Sequence, residues 1–228
     1  MNSGRVRNLK HLRTYEVALS KADLGPVAGV DEAGRGACCG PMTVAACVLP
    51  DEPIQQLATL TDSKKLTAQR RALLAPLIKK YAISWSIIHI PAADIDLWGI
   101  QHANISGMRR AVTALDLRPG YVLIDAMRVP GLTIPSLPII GGDGYVRCIA
   151  AASVLAKQAR DELMVRMDQD YPEYGLKNHK GYGTSAHLEA VRRHGACPEH
   201  RYSYANIKAA HHEWLNNQIS EEKGNHER

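Results

Sequence analysis

The stretch V-A-G-V-D-E-A-G-R-G-A-C-C-G-P, Val27 to Pro41, sets an apolar run directly against two adjacent carboxylates and then a glycine-rich turn. A short apolar run bounded by such breakers reads as a buried strand. Asp31 and Glu32 at its end are hard oxygen donors of the kind magnesium and manganese prefer. Gly34 and Gly36 lack a Cβ, so the backbone amides of the turn can approach a sugar or a phosphate closely. Carboxylates for an ion beside a backbone cradle make the layout of a metal-dependent phosphodiester-cutting site.

Outward from this stretch, Pro41 to Leu49 is β-branched enough for a second strand, joined to the first in a hairpin-like start. Upstream, Gly25 and Pro26 close a basic extension, residues 1–24, in which Arg13 to Ser20 reads as a short helix. Downstream, Lys64 and Lys65 precede a helix from near Thr67 with Leu73, Leu74, Leu77 and Ile78 facing inward. Ile83, Trp85 and Ile87 alternate with Ser84 and Ser86, which predicts a strand that buries the apolar face. One amphipathic helix is expected from Asp94 to Leu115, after which Pro119 and Gly120 turn the chain into the apolar strand Tyr121 to Ile124. That strand delivers Asp125.

Pro138 to Ile140 is short and apolar, and Gly141-Gly142-Asp143-Gly144 breaks the chain before a long helix, Ile149 to Asp168. Alanines fill the first half of that helix's apolar stripe, so it can pack closely. Thr184 to His194 is a further helix, capped by Thr184 or Ser185 and ended by Gly195. The order of elements predicts an α/β fold, a mixed sheet flanked by helices, with a helical C-terminal part. One main domain is expected over residues 25–215, followed by a charged, solvated and flexible tail over 216–228.

Two-metal phosphodiester chemistry places ions ~3.5–4 Å apart and needs several carboxylates converging from separate elements. Asp31, Glu32, Asp125 and Asp143 meet that need, each at the end of an apolar segment or in a glycine-rich break. The alternative role for each is that of a turn or cap residue. Neighbours in a regular strand point to opposite faces, so Asp31 and Glu32 share a site only if the strand breaks there, and Gly34 and Gly36 predict that break. Asp161 follows Arg160 in mid-helix and is expected in an exposed ion pair. The same glycine loop departs from a dinucleotide fingerprint, because Cys39 stands where the third glycine belongs. A P-loop is excluded, since no Gly-Lys-Ser/Thr follows.

The 228 residues, 45% of them hydrophobic, suffice for one substantial core. A net charge of +5 suits a phosphate-rich partner. Five cysteines without a C-x-x-C pair indicate neither a disulfide framework nor a zinc ribbon, and they read as reduced thiols of a cytoplasmic protein. No apolar run of membrane-spanning length is present, so no membrane partner is expected.

With these residues assembled, the chain resembles the bacterial ribonuclease HII family. The matching segments are V-D-E-A-G-R-G at 30–36, D-S-K-K-L at 62–66, I-D at 124–125, I-A-A-A-S-V-L-A-K at 149–157 with R-D at 160–161, and Y-G-L-K-N-H-K-G-Y-G-T at 174–184. The resemblance implies a ribonuclease H-like fold and a metal-dependent endonuclease, using Mn2+ or Mg2+, that acts as a monomer. Its implied partners are RNA-DNA hybrid and duplex DNA carrying single ribonucleotides. Asp31, Glu32 and Asp125 match the family's metal-binding acids and Asp143 its fourth active-site carboxylate. Gly34, Arg35 and Gly36 match the loop that contacts the ribose around its 2′-hydroxyl, the group that separates RNA from DNA. Tyr182 matches the tyrosine that packs on the sugar at the RNA-to-DNA junction, with a buried structural ring as its other reading. Ser63, Lys64 and Lys65 match a phosphate-contacting segment.

Two departures stand out. Gly142 occupies a place where the family commonly has lysine, and Cys148 one where it has serine. Loss of that lysine bears on substrate affinity and on the titration of Asp143. Cys38 and Cys39 replace commoner small or apolar residues, for which small-residue packing and a redox role are the two readings. Two rival functions are a hybrid-binding protein without catalysis and a metal-dependent nuclease for plain DNA.

Overall fold

The computed structural model describes residues 12–226, with side chains described through residue 220. Its elements in chain order are α1 (Thr14–Ser20), β1 (Val27–Ala33), β2 (Met42–Val48), α2 (Ala68–Tyr81), β3 (Ser84–Ile90), α3 (Ala92–Trp98), α4 (Ile100–Thr113), β4 (Tyr121–Asp125), β5 (Ser136–Ile139), α5 (Arg147–Asp170), α6 (Leu176–His179), α7 (Ser185–His194) and α8 (Ala205–His226). The strands form one mixed sheet in the order β3-β2-β1-β4-β5. β1 pairs antiparallel with β2, while β1 with β4 and β4 with β5 are parallel. Among the described residues no helix is long and apolar enough to cross a membrane.

The chain packs as two compact units. The first comprises the described residues of Met1–Ala33 with Thr43–Ile88 and Asn104–Ala159, and the second Gly34–Met42, His89–Ala103 and the described residues of Arg160–Arg228. In the first unit a core of Val30, Val44, Val122 and Ile124 packs with Met108 and Val112 of α4. A second core gathers Ala45, Cys47, Leu74 and Ile78 with Ala150 to Ala152 of α5. The expected close approach of the alanine stripe is real: a Cβ on Gly29 of β1 would lie 2.1 Å from the Cys148 carbonyl carbon, so only glycine lets α5 sit against the strand. In the second unit Cys38, Cys39, Met164, Leu176, Val191 and Ile207 share a core.

Several local expectations change. The helix expected from Asp94 to Leu115 is two, α3 and α4, divided at Gly99, whose φ of 77° no apolar side chain adopts readily. Leu73 of α2 is 61% exposed rather than inward-facing. In β3 the serines are the buried residues: Ser86 Oγ donates to the Ala111 carbonyl at 2.6 Å, and Ser84 Oγ accepts from the Asp116 amide at 2.9 Å. Trp85 and Ile87 are half-buried against the other core. Period-two reasoning assumes one wet face, and a strand covered on both sides defeats it. The segment 216–228, expected to be a flexible tail, is helical as the end of α8 as far as His226, and 227–228 lie outside the described residues.

Within the basic extension, residues 1–11 lie outside the described residues, and α1 is tied into the first unit by Glu16. Its buried carboxylate accepts the Cys148 amide at 2.8 Å. Burial raises the Glu16 carboxyl above its ordinary 4.5, opposed by that amide and by Arg147. An acid raised by folding contributes most stability below its unfolded value and loses it as pH rises through the folded one. Glu16→Gln is therefore expected to flatten the fall of chemical-denaturation midpoint with pH above about 4.5. Identical slopes for both proteins would refute this.

Candidate active site

The parallel register of β1 and β4 runs from Val27 beside Tyr121 to Val30 beside Ile124, so the next residues, Asp31 still within β1 and Asp125 at the end of β4, follow side by side just past the paired stretch. β5 continues alongside, with Ile139 opposite Asp125, and the following turn of 3-10 helix, Gly142–Gly144, brings in Asp143. One carboxylate oxygen from each of Asp31, Asp125 and Asp143 lies within 4.8 Å of the other two. A Cβ on Gly142 would stand 2.6 Å from Ile149 Cδ1 and 3.5 Å from Asp125 Oδ1, so this turn lies directly against the start of α5 and the acids.

Glu32 is the exception among the expected acids. β1 runs unbroken through Ala33, with Asp31 opposite Ala45 and Glu32 opposite Val44, so the break expected at the carboxylates does not occur and the chain turns only at Gly34. Glu32 is thus outside the three-acid group, yet its charge still raises Asp31. Burial lifts the Asp31 carboxyl well above its ordinary 3.8, Glu32 and then Asp125 push it the same way, and a hydrogen bond from Ser153 opposes them. The Glu32 amide donates to Asp31 Oδ1 at 2.7 Å. Asp143 is raised by burial first, then by Asp125 and Asp62, against the pull of Lys64.

Two buried carboxyls and a half-buried one, Asp125, crowd together here, and such a group is costly unless a cation joins it. Asp125 Oδ1 is buried and has no hydrogen-bond partner, an acceptor aimed at nothing in the protein. An all-oxygen donor set of this kind fits a hard divalent ion and not a thiophilic one. Asp31, Asp125 and Asp143 could hold it.

Lys64 and Lys65 are exposed, and Lys64 Nζ reaches Asp143 Oδ2 at 3.6 Å. Lys64 thus sets a positive charge beside Asp143 in a chain whose residue 142 is glycine. Ser63 is buried and its hydroxyl receives Ser153 Oγ at 2.8 Å, so it faces inward rather than presenting its side chain to a phosphate. Ser153 thereby links Ser63 to Asp31, a role that its place in a run of alanines did not signal.

In the second unit the loop Gly34–Met42 is held by two buried arginines. Arg160 donates to the carbonyls of Pro41 at 2.9 Å, Cys39 at 3.2 Å and Lys180 at 2.8 Å. Arg201 donates to Gly40 at 2.9 Å and Arg35 at 2.9 Å, and Tyr204 adds a bond to Arg35. Arg160, next to Asp161 in mid-helix, is itself fully buried among carbonyls. Gly34, with φ of 84°, has room for no side chain: a Cβ would sit 1.8 Å from Arg160 Nε. At Gly36 the same position is open, with nothing within 4 Å. Arg35 Nη2 donates to Gln101 Oε1 at 3.0 Å. Tyr182 is 40% exposed, with the Arg160 guanidinium 5.6 Å from its ring centre, so a fully buried structural ring is ruled out.

The family model for ribonuclease HII matches residues 28–207, most of the chain. The chain belongs to the ribonuclease HII family. A ribonuclease HII of Corynebacterium diphtheriae is 70% identical over 211 residues, 92% of each chain, and one of Rhodococcus erythropolis is 60% identical over 205 residues, 90% of this chain and 91% of that one. Membership of the ribonuclease HII family makes this chain a ribonuclease H-type, metal-dependent endonuclease. Solved structures share the fold at lower identity. The ribonuclease H2 of Pyrococcus horikoshii superposes with a TM-score of 0.72 at 22% identity, covering 83% of this chain and 98% of that one. Bst-RNase HIII in complex with Mn2+ gives 0.69 at 20% identity over 87% and 74%. The ribonuclease H-like mixed sheet read from the resemblance is therefore the fold observed.

Proposed function

We propose that residues 25–215 form the catalytic domain of an endoribonuclease that hydrolyses the RNA strand of RNA-DNA hybrids and cuts 5′ of single ribonucleotides in duplex DNA, leaving 3′-hydroxyl and 5′-phosphate ends. The observation that carries this reading is the convergence of Asp31, Asp125 and Asp143 within 4.8 Å, with an oxygen of Asp125 left without a partner. Two divalent ions, Mn2+ or Mg2+, would supply Lewis acidity to the scissile phosphate and a water of lowered pKa. Asp31, Asp125 and Asp143 would be the ligands, and Glu32, next along β1 and near enough to raise Asp31, would serve as the fourth acid. Gly36 leaves space for a ribose, Arg160 backs the exposed Tyr182 ring that receives the sugar, and Arg35 borders the same loop. Lys64 and Lys65 meet phosphates from a helix start.

The deciding experiment uses a duplex with one ribonucleotide, an all-deoxy duplex and an RNA-DNA hybrid, each with Mn2+ or Mg2+ and again with chelator. Cleavage of the ribonucleotide-bearing substrates alone, abolished by chelator, is the expected result. Binding without product would favour the non-catalytic reading, and cutting of the all-deoxy duplex the plain-DNA nuclease.

Lys64→Gln tests the phosphate contact. Binding of a hybrid to a chelated, non-cleaving preparation is expected to weaken uniformly across sequences, with the slope of log affinity against log salt shallower by about 1. An unchanged slope would place Lys64 away from the nucleic acid.

A further inference from the structure

We propose that Cys39, Cys197 and His200 form a soft-metal centre for a thiophilic d10 cation, Zn2+ in the cell, distinct in chemistry from the carboxylate site. The three side chains are buried, and one ligand atom from each lies within 4.8 Å of the other two. Two thiols and an imidazole make a donor set that suits zinc and is foreign to magnesium.

The surrounding hydrogen bonds preset the ligands. The Cys197 amide donates to His200 Nδ1 at 3.0 Å, so that nitrogen carries a lone pair and the proton resides on Nε2. His200 Nε2 then donates to His187 Nε2 at 3.0 Å, and His187 Nδ1 donates to the Tyr182 carbonyl at 3.0 Å. A metal-binding histidine needs this arrangement, its second ring nitrogen engaged by a fixed acceptor while the first is left unprotonated. Cys197 Sγ already lies 3.1 Å from His200 Nδ1. On metal entry the His200 lone pair passes from the Cys197 amide to the ion, each thiol loses a proton to solvent, and no electron is transferred.

Backbone bonds hold the same ligands in register. Cys39 and His200 form an antiparallel bridge, the Gly40 amide donates to the Glu199 carbonyl at 2.8 Å, and the Arg201 amide donates to the Cys38 carbonyl at 2.9 Å. A closed zinc site takes four ligands. With three protein ligands assembled here, the remaining position is left to a water. The ion would staple the glycine loop to the turn before α8, and through His187 it would bear on the backbone of Tyr182.

The test is metal analysis of the full chain purified under reducing conditions, washed with EDTA and passed through gel filtration. A single zinc per chain is expected, lost in Cys39→Ala and Cys197→Ala and retained in Asp31→Asn, which separates this centre from the carboxylates. Co2+ titrated into the wild-type chain is expected to give thiolate-to-cobalt absorption in the near ultraviolet with the d–d bands of a tetrahedral site. That readout holds even if the alanine variants fail to fold. Absence of both zinc and the cobalt spectrum from chain with fully reduced thiols overturns the proposal, as does equal zinc in Cys197→Ala. A Cys39–Cys197 disulfide forming in place of metal binding overturns it as well.

Discussion

Asp31→Asn is expected to reduce cleavage of a ribonucleotide-bearing duplex on the order of 10³-fold or more, the scale on which removing one member of a catalytic set acts, and to raise the stability of the chelated protein. Both effects have one cause. Asp31 is buried, and burial, Glu32 and Asp125 all hold its carboxyl well above the ordinary 3.8. A raised acid contributes stability only below its ordinary value and loses it as pH rises through the folded one, so at neutral pH the metal-free chain bears repulsion that a bound ion would relieve. Asn keeps an oxygen for the Glu32 amide, now at 2.7 Å, and removes the charge. The expected gain is about 1–2 kcal/mol, the scale on which relief at a strained active site stabilises a protein. Added Mn2+ should raise the melting temperature of the wild type and do so far less for the variant. Asp125→Asn should lose activity in parallel, because its buried oxygen has no hydrogen-bond partner in the protein and would be given to the ion. Wild-type turnover in either variant, or a fall in stability of the chelated Asp31→Asn, would remove these acids from the centre.

Arg160→Met is expected to destabilise the second unit by about 3 kcal/mol or more, since each buried carbonyl left unpaired costs roughly 1–3 kcal/mol. Three carbonyls depend on this guanidinium, those of Cys39, Pro41 and Lys180, and no solvent reaches it. Arg160→Lys should recover little, because a point ammonium cannot bond three carbonyls through a planar fork. Thermal or urea unfolding measures the loss. At a temperature where the variant is folded, the expected kinetic signature is a raised KM with a smaller change in kcat, because Arg160 shapes the Gly34–Met42 loop and backs Tyr182 without belonging to the acids. A variant as stable as wild type with unaltered KM would show that the loop holds its shape unaided.

The acids were legible because each stands near the end of an apolar run or in a glycine-rich break, and parallel strands put their carboxyl ends at one edge. Asp31, Asp125 and Asp143 meet that reading. Glu32 met it only in part, since the strand break that would turn it toward its neighbours is absent. Other residues left no trace in the pattern. Arg160 follows ordinary helical spacing, and only three-dimensional packing shows its guanidinium buried among carbonyls of a loop about 120 positions earlier in the chain. Ser153 sits in a run of small residues that signals close packing, and its bond network with Ser63 and Asp31 depends on how α5 lies on the sheet. The serine face of β3 was misread because burial on both sides erases alternation.

Sequence alone therefore determined the order of elements, the glycine turn and the carboxylates near the ends of the first and fourth strands, since hydrophobic period, breakers and donor chemistry are local properties of the chain. Tertiary structure decided which acids come together, which cation stands beside Asp143 and which cysteines face one histidine. Those are matters of register and burial, set by contacts between residues far apart in the chain, and no local pattern encodes them.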